Sequence, residues 1–332
     1  MRVAIFGAGA TGCYLGGRLS NAGINVTLIC REKVKQAIEM NNGIGLSDYL
    51  GSRSRVMPNK LVLAVEELKA AEAIFDVVFV MLKCQQVNGI AQDLLNISDE
   101  HTDIVFMQNG IGSFDDIKSS LPARKLYQGV TSFNVLAMDN CVYHQGTEGG
   151  IVCQSFRHSD ILQKAANQQH EFFECVEDIR CVIYSKLLLN LNNALNAIAN
   201  LPLKEELEYI KYRKVLAGAM REWLAVVKHE QIALTQFTQV KPHWIPRLLT
   251  LPNWLFTRIA KQMLTIDPKA RSSMWQDIQD GKTTEVDYLN GAVVKLAKNY
   301  GIKTPINSAI VQMIKQLEQG EVVDFDLVNF NN

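Results

Sequence analysis

The sequence has no excess of charge of either sign and no long apolar run. Among its 332 residues, 34 Lys and Arg balance 34 Asp and Glu, so the formal net charge is zero. A binder of nucleic acid or of membrane surfaces carries a basic excess or block, and we therefore expect neither partner. No stretch reaches the roughly 20 apolar residues that a membrane helix needs. The start, Met-Arg-Val-Ala-Ile-Phe, lacks the layout of a signal peptide, which favours a cytoplasmic protein.

Cysteine spacings typical of disulfide frameworks or metal sites are also missing. The seven cysteines are scattered and odd in number, and they include no Cys-x-x-Cys pair. The six histidines show no metal-ligand spacing either. We interpret the cysteines as small buried hydrophobic residues in a reducing compartment, and we expect no metal.

The first half of the chain has the pattern of an α/β domain. Short apolar runs alternate with amphipathic stretches, which is typical of a parallel sheet covered by helices on both faces. The runs lie at residues 3–6, 25–30, 76–82 and 103–107. We expect residues 125–152, which are strand-like with turns, to extend this sheet in antiparallel fashion.

Helical periodicity dominates the second half. The predicted helices lie at residues 186–199, 214–227, 259–264, 272–280, 285–300 and 309–319. Two proline-bearing turns make residues 245–256 a bent helical pair. The sequence thus predicts a Rossmann-type NADP-binding domain over residues 1–178 and an all-helical substrate and catalytic domain over residues 179–332.

A glycine-rich turn follows the first predicted strand and opens a helix. Its residues fit the pattern G-x-G-x-x-G: Gly7, Ala8, Gly9, Ala10, Thr11 and Gly12. The first glycine permits the tight turn, the second lets the backbone approach a pyrophosphate, and the third lets the helix pack near the strand. The helix N-terminus offers N–H groups to the phosphates. This context predicts dinucleotide binding rather than a plain structural turn.

The end of the second strand indicates which dinucleotide is bound. Arg31 follows this strand and Lys33 lies close behind, with Glu32 between them. A guanidinium suits the 2′-phosphate of NADP, whereas an acidic residue would take the ribose hydroxyls of NAD. We therefore favour NADP(H), although Arg31 and Lys33 also fit an ordinary solvated strand end.

Lys83 and Asn109 each follow a predicted strand. The carboxyl ends of strands in an open α/β sheet face the ligand crevice. A cation and an amide placed there would lie near the cofactor. The alternative is that each is a turn residue, and Asn109-Gly110 is a common turn pair.

The helical half carries an unusual polar stripe. On a helix with about 100° per residue, Lys186, Asn190 and Asn193 fall within an arc of about 60°. Asparagine is a poor helix former and is costly to bury without partners, so several in an apolar helix suggest a polar ligand. A solvent-facing stripe is the alternative.

A second polar cluster includes Ser273 and Glu285. Thr284 with Asp287 three residues later resembles a capping box, which would place Glu285 in the first turn of a helix. From chemistry alone, Glu285 is either a functional acid or a favourable first-turn residue.

Together these motifs resemble the ketopantoate reductase family over nearly the whole chain. The most specific block is Ser272-Ser273-Met274-x-Gln-Asp followed by Thr284-Glu285-x-Asp-Tyr-x-Asn-Gly. The resemblance implies that Lys186 is the general acid, with Glu285 near it and the cofactor. It also implies that Asn190 and Ser273 hold the substrate, that Asn109 touches substrate and cofactor, and that Lys83 touches the cofactor.

The chain departs from this family in two places. The second helix asparagine of the family falls on Ala194 here, and Asn193 projects from nearly the same face. The further asparagine of the family aligns only loosely with Asn196 or Asn200. Residues 203–267 are also longer than in the smaller members, with an added aromatic segment around residues 244–256. This pattern suits a paralogue with another substrate.

Three functions remain open from the sequence. The first is NADPH-dependent reduction of a ketoacid, with ketopantoate (2-dehydropantoate) of pantothenate biosynthesis as the leading substrate. The second is a non-catalytic NADP(H)-binding sensor, which has no use for Lys186 and Glu285. The third is an NAD-linked dehydrogenase that works in the oxidative direction. A homodimer is compatible with each of them.

Overall fold

The computed structural model describes residues 1–69, 73–168, 170–259, 270–323 and 325. The chain forms two compact units. The first comprises Met1–Asn109 and Ser113–Ile179, and the second comprises Gly110–Gly112 and Arg180–Asn332. The helix predicted at residues 259–264 lies outside the described residues except for Ile259.

Twelve strands form two sheets in the described part of the first unit. They are β1 (Arg2–Phe6), β2 (Asn25–Ile29), β3 (Ile44–Asp48), β4 (Arg53–Val56), β5 (Lys60–Val62), β6 (Val77–Val80), β7 (Asp103–Phe106), β8 (Lys125–Thr131), β9 (Val135–Met138), β10 (Val142–Gln145), β11 (Ile151–Gln154) and β12 (Phe173–Val176). The larger sheet has the order β12-β11-β8-β7-β6-β1-β2-β5. Its strands are parallel except at the β8–β11 pair.

The strand order of this sheet reverses between β1 and β6. The chain runs outward from β1 to β2 and β5, and it returns to β6 on the other side of β1. Ligands of open α/β sheets bind beyond the carboxyl ends of the strands at such a reversal. The glycine turn after β1 and the loops after β6 and β7 therefore occupy the position where a dinucleotide is expected.

The helices of the first unit cover both faces of the larger sheet. They are α1 (Ala10–Asn21), α2 (Glu32–Met40), α3 (Cys84–Val87), α4 (Ala91–Asn96), α5 (Ser113–Lys118) and α6 (Ser159–Ala166), with 3-10 turns at Val65–Glu67 and Asn88–Ile90. Alternate residues of β1 enter two different cores: Val3 and Ile5 join one, and Ala4 and Phe6 join the other. The predicted α/β class with two covered faces is confirmed.

The smaller sheet corrects the expectation for residues 125–152. Its order is β4-β3-β10-β9. Only β11 extends the larger sheet in antiparallel fashion, while β9 and β10 join β3 and β4, which the pattern analysis did not predict. Leu46 of β3 and Tyr143 of β10 are buried in the same core as α1. This extra apolar partner draws β9 and β10 away from the larger sheet.

The described part of the second unit is helical. Its helices are α7 (Arg180–Asn190), α8 (Asn192–Ala199), α9 (Leu203–Glu208), α10 (Ile210–His229), α11 (Ile245–Leu249), α12 (Asn253–Ile259), α13 (Ser273–Gln279), α14 (Asn290–Asn299) and α15 (Pro305–Glu318), with 3-10 turns at Pro242–Trp244 and Val286–Tyr288. The helix predicted at 186–199 is interrupted at Leu191, and the one at 285–300 begins as a 3-10 turn.

Buried side chains of α10 organise this unit. Trp223 is fully buried, and its Nε1–H donates to the Tyr184 carbonyl at 3.0 Å. The buried Arg213 guanidinium donates from Nη1 to the carbonyls of Leu249 (3.1 Å) and Leu251 (2.9 Å). It also lies 4.0 Å from the centroid of the Phe256 ring. Arg213 thus ties α11 and α12, the predicted bent helical pair, to α10.

In the part of the chain that the structure describes, none of the helices combines the length and apolar character of a membrane span. Across the same residues, no cluster of three or more His, Cys, Asp and Glu side chains could hold a metal ion. The seven cysteines are free thiols.

Candidate functional site

The glycine turn leaves no room for a side chain at its last position. A Cβ added to Gly12 would lie 2.3 Å from the Gly7 carbonyl oxygen, closer than any real Cβ approaches. A Cβ added to Gly9 would meet no heavy atom within 4 Å. The two glycines therefore serve different purposes: Gly12 lets helix and strand meet, and Gly9 keeps the outer side of the turn open.

The N-terminus of α1 fits an anionic group. Gly9 is its N-cap and provides no side chain to cap the first N–H groups, and the first turn contains no acidic residue. The first N–H groups of a helix have no partner within the helix and carry the positive end of its dipole. An open approach over Gly9 and these donors suit the pyrophosphate of a dinucleotide.

Arg31 lies at the end of β2 and is the N-cap of α2. Its side chain is exposed, and it makes no hydrogen bond or ion pair with another described residue. Glu32 is turned along α2, where its Oε1 accepts from the Gln36 Nε2–H at 2.7 Å. Glu32 is thus engaged within α2, and none of the described residues pairs with the exposed Arg31 guanidinium.

Two side chains tie the loops after β6 and β7 together. The Gln108 Nε2–H groups donate to the carbonyls of Val80 (2.8 Å) and Leu82 (3.0 Å). The Cys84 thiol donates to the Asn109 carbonyl at 2.8 Å. Lys83 and Asn109, both half-buried, therefore stand on loops that are fixed to each other. Sequence reasoning missed Gln108 and Cys84, because neither residue type signals such a link.

Lys186 and Asn190 lie one turn apart on α7. Asn190 is the last residue of the helix and is buried, with 9% of its surface exposed, and Lys186 is half-buried. Burial lowers the pKa of the Lys186 ammonium below its ordinary value. Among the described residues, no carboxylate forms an ion pair with Lys186. An ammonium held in this way is a stronger acid than an exposed lysine.

Asn193 and Ser273 are held by a backbone and side-chain network of the second unit. Ser272 caps α13 by accepting from the Trp275 N–H at 3.0 Å, and its hydroxyl donates to the Asn193 carbonyl at 2.9 Å. The Ser272 N–H donates to Asn196 Oδ1 at 2.8 Å. Ser273 itself is exposed at the first position of α13, and Asn193 is half-buried. The network fixes the backbone at both positions, and none of the described residues forms a hydrogen bond with the Ser273 hydroxyl.

Asn196 connects this network to a buried acid. Its Nδ2–H groups donate to Glu206 Oε2 at 2.6 Å and to the Leu201 carbonyl at 2.9 Å. Glu206 is fully buried, and burial raises the pKa of its carboxyl to about 8 against the opposing effect of Asn196 and Asn192. Within the described residues, Glu206 Oε1 and Asn192 Oδ1 are buried without a hydrogen-bond partner. Asn196, which aligns loosely with the family's further asparagine, thus has a structural role.

Glu285 is half-buried and directly precedes the 3-10 turn Val286–Tyr288. The predicted capping box is wrong: the Thr284 N–H and hydroxyl both donate to Glu318 Oε1, each at 2.7 Å. The Thr284 hydroxyl also accepts from the Val286 N–H at 3.3 Å, two residues later, which is not the bond of a capping box. Glu285 therefore enters a short 3-10 turn and not the first turn of an α-helix.

The segment Gly110–Gly112 stabilises the end of this turn. The Ile111 N–H donates to the Tyr288 carbonyl at 2.9 Å. A Cβ on Gly110 would lie 2.2 Å from the same oxygen, and the φ of Gly110 is +89°. Glycine at this position is required both by the backbone conformation and by the close approach.

The chain matches two family models. The model described as "Ketopantoate reductase PanE/ApbA" matches residues 3–158, and "Ketopantoate reductase PanE/ApbA C terminal" matches residues 178–318. The 2-dehydropantoate 2-reductase of Archaeoglobus fulgidus is 24% identical over 96% of this chain and 98% of its own. That of Pyrococcus abyssi is 29% identical over 96% and 98%.

Solved structures give the same picture. A PanE/ApbA family ketopantoate reductase from Ralstonia eutropha superposes with a TM-score of 0.80 at 26% identity, covering 96% of this chain and 99% of that one. A D-mandelate dehydrogenase with bound NADH shares the fold, with a TM-score of 0.75 at 22% identity and coverage of 96% and 99%. Since the two family models together span most of the sequence, the chain belongs to the ketopantoate reductase family of NADP-dependent oxidoreductases.

Proposed function

We propose that the protein reduces a 2-oxoacid to a 2-hydroxyacid with NADPH, and that 2-dehydropantoate is its leading substrate. The observation that carries this proposal is the Lys186 ammonium, which is half-buried on α7 one turn from the buried Asn190 amide. A dinucleotide sensor that catalyses no reaction does not need a half-buried lysine with a lowered pKa at this position. The proposal includes a cytoplasmic location and a homodimer; a ketopantoate reductase from Staphylococcus aureus with the same fold is described as dimeric.

The residues of the second unit suit the proton half of this reaction. Bound NADPH would supply the hydride to the keto carbon. As negative charge develops on the keto oxygen, the Lys186 Nζ donates a proton to it, which yields the hydroxyl group and a neutral amine. The lowered pKa of Lys186 favours this transfer in the reductive direction. Asn190 and Asn193 would orient the substrate by amide hydrogen bonds, and Glu285 would orient Lys186 and the cofactor.

On the cofactor side, we propose that Gly7, Ala8, Gly9, Ala10, Thr11 and Gly12 hold the pyrophosphate. Arg31 would bind the 2′-phosphate because its guanidinium is exposed and has no partner among the described residues, while its acidic neighbour is engaged on α2. Lys83 and Asn109 would contact the cofactor from the linked loops, and Asn109 would reach the substrate as well.

One observation favours a second candidate substrate. Ala194 is fully buried at the position of the family's second helix asparagine, and Asn193 beside it is only half-buried. Lys186 and Asn190 are thus retained, while the second amide of the helix is displaced by one residue. A different ketoacid is therefore the alternative to 2-dehydropantoate.

The test follows NADPH absorbance with 2-dehydropantoate and a panel of other 2-oxoacids. We expect turnover of one of them and a fall in kcat of about 10²- to 10⁴-fold in Lys186→Met. Lys214→Met, which changes an exposed lysine of the same unit, is the matched control and keeps full activity. Unchanged turnover in Lys186→Met would exclude this residue as the acid. Tight NADPH binding without turnover of any panel member would favour the sensor.

A further inference from the structure

The charge of the second unit is unevenly distributed. No aspartate or glutamate occurs between Glu230 and Asp267, although the whole chain is neutral. In the described part of this interval, the basic residues are Lys241, Arg247 and Arg258, and all three are exposed. We expected no membrane partner because the overall charge is balanced. This one segment nevertheless carries only positive charge.

Two exposed tryptophans lie among these cations. Trp254 exposes 71% of its surface and Trp244 exposes 48%. Arg247 follows Trp244 by three residues, with its guanidinium 4.5 Å from the ring centroid. Arg258 follows Trp254 by four residues on α12, so the two project from one face of that helix. The 3-10 turn with α11 thus exposes one tryptophan and one arginine, and α12 exposes another such pair.

The opposite faces of the same elements are anchored in the unit. Ile245, Leu248 and Leu249 of α11 and Phe256 of α12 are buried. Arg213 holds the carbonyls that follow α11, and the Arg221 Nη2–H donates to the Pro246 carbonyl at 3.4 Å. The exposed tryptophans therefore lie on helical segments whose opposite sides are packed into the second unit.

We propose that the exposed side chains of Lys241, Trp244, Arg247, Trp254 and Arg258, together called the basic tryptophan surface below, bind the headgroups of an anionic phospholipid bilayer. Tryptophan and arginine side chains each combine an apolar body with a polar tip, which suits the boundary between headgroups and acyl chains. Clustered Lys and Arg are attracted to anionic lipids. The protein would rest on the bilayer without crossing it.

A second copy of the chain is a poorer occupant. In a two-fold interface the same patch meets itself, which would bring the arginines of both copies into one interface with no acidic residue in the segment to offset them. An acidic protein or a nucleic acid would satisfy the charges, but neither accounts for two exposed tryptophans as directly as a bilayer boundary does. Failure to bind anionic vesicles would leave these occupants in place of the bilayer, and a change of oligomeric state would identify a second copy.

The experiment is co-sedimentation of the full chain with vesicles of equimolar phosphatidylglycerol and phosphatidylcholine, compared with pure phosphatidylcholine vesicles. We expect binding only to the anionic vesicles, a blue shift of tryptophan emission on binding, and release at about 0.5 M NaCl, where screening is strong. The double variant Arg247→Glu/Arg258→Glu should bind at least about tenfold more weakly. Trp254→Ser should bind more weakly and lose most of the blue shift.

Matched controls separate this surface from charge or apolarity in general. Arg157→Glu reverses an exposed arginine of the first unit, and Met40→Ser removes an apolar side chain that is 82% exposed. Both should bind the vesicles like the unmodified chain. Absence of binding to anionic vesicles, or equal binding by the double variant, overturns the proposal. A change of oligomeric state in Trp254→Ser without lipid assigns the surface to a second copy and also overturns it.

Discussion

The glycine turn of the first unit and the α7–α8 helix pair of the second unit are built in opposite ways for the ligands that we propose for them. In the turn, recognition depends on the backbone, and the essential feature is the absence of side chains at Gly9 and Gly12. In the helix pair, the proposed recognition depends on side chains, and Ser272 and Asn196 support it by fixing backbone positions, with Ser272 bonded to the Asn193 carbonyl and Asn196 to the Ser272 N–H. The first arrangement tolerates almost no change, whereas the second can be altered one residue at a time.

This difference has a consequence for specificity. A pyrophosphate is common to all dinucleotides, so a turn of fixed geometry suits it. A substrate side chain varies, and the helix pair can follow it through substitutions such as the alanine at position 194. A family member can therefore keep its cofactor chemistry while its ketoacid changes.

The largest effect is expected where the side-chain network contains a titrating acid. The pKa of Glu206 is raised to about 8 by burial, from an ordinary value of 4.5. Its contribution to stability is fully present below pH 4.5 and is lost as the pH rises through about 8. Glutamine at this position does not ionise. Between these two pH values, the free energy of unfolding of Glu206→Gln should therefore rise by roughly 4 kcal/mol relative to that of the unmodified chain.

Urea unfolding from pH 4.5 to pH 9 measures this gain. Glu208→Gln, which changes an exposed glutamate of the same helix, is the control and should show no such trend. A constant difference in unfolding free energy between Glu206→Gln and the unmodified chain over this range would mean that the buried acid is not neutral near pH 7. The side-chain network would then contain no titrating group that distinguishes it from the glycine turn.

A somewhat smaller effect is expected from the turn. Gly12→Ala places a methyl group 2.3 Å from the Gly7 carbonyl and should cost about 2 to 3 kcal/mol of stability. Gly9→Ala meets no atom within 4 Å and should unfold like the unmodified chain. Its methyl group nonetheless narrows the approach of the pyrophosphate, so its Kd for NADPH should rise.

Thermal unfolding measures the stability loss in Gly12→Ala, and NADPH titration measures the rise in Kd in Gly9→Ala. The contrast would be broken by a Gly9→Ala variant that binds NADPH as tightly as the unmodified chain. That result would mean that the open side of the turn is not the side that the cofactor approaches.

The smallest effect concerns the link between the loops after β6 and β7. Cys84→Ala removes the hydrogen bond to the Asn109 carbonyl and should weaken NADPH binding by about 1 kcal/mol, or about fivefold. Cys175→Ala, in the edge strand β12, is the control. Isothermal titration of both variants tests the role of the loops, and equal affinities would assign Cys84 to packing alone.

Backbone-determined features were predictable from the sequence. Local pattern predicts the glycine turn between β1 and α1, the four parallel strands, and the division into an α/β part and a helical part. This is because glycine placement and apolar periodicity are properties of neighbouring residues. Strands β3 and β4 pair with each other, and they were missed because the sheet that they join is completed by β10, nearly 100 residues away from β3.

Side-chain partners were not predictable in this way. The spacing of Lys186, Asn190 and Asn193 indicated one polar face, but the interruption at Leu191 and the support by Ser272 are tertiary features. Thr284 has the local pattern of a capping residue, yet Glu318, 34 positions later, accepts both of its protons. Local preferences of a few tenths of a kcal/mol yield to such distant charged partners.

The membership of Gly110–Gly112 in the second unit determines how the protein can be dissected. The polypeptide leaves the first unit after Asn109, returns at Ser113 and leaves again after Ile179, so it passes between the units three times. A fragment that begins at residue 180 lacks the Ile111 N–H, and the Tyr288 carbonyl then loses its donor next to the turn that Glu285 enters. We therefore expect the isolated helical part to be less stable than the same residues within the full chain.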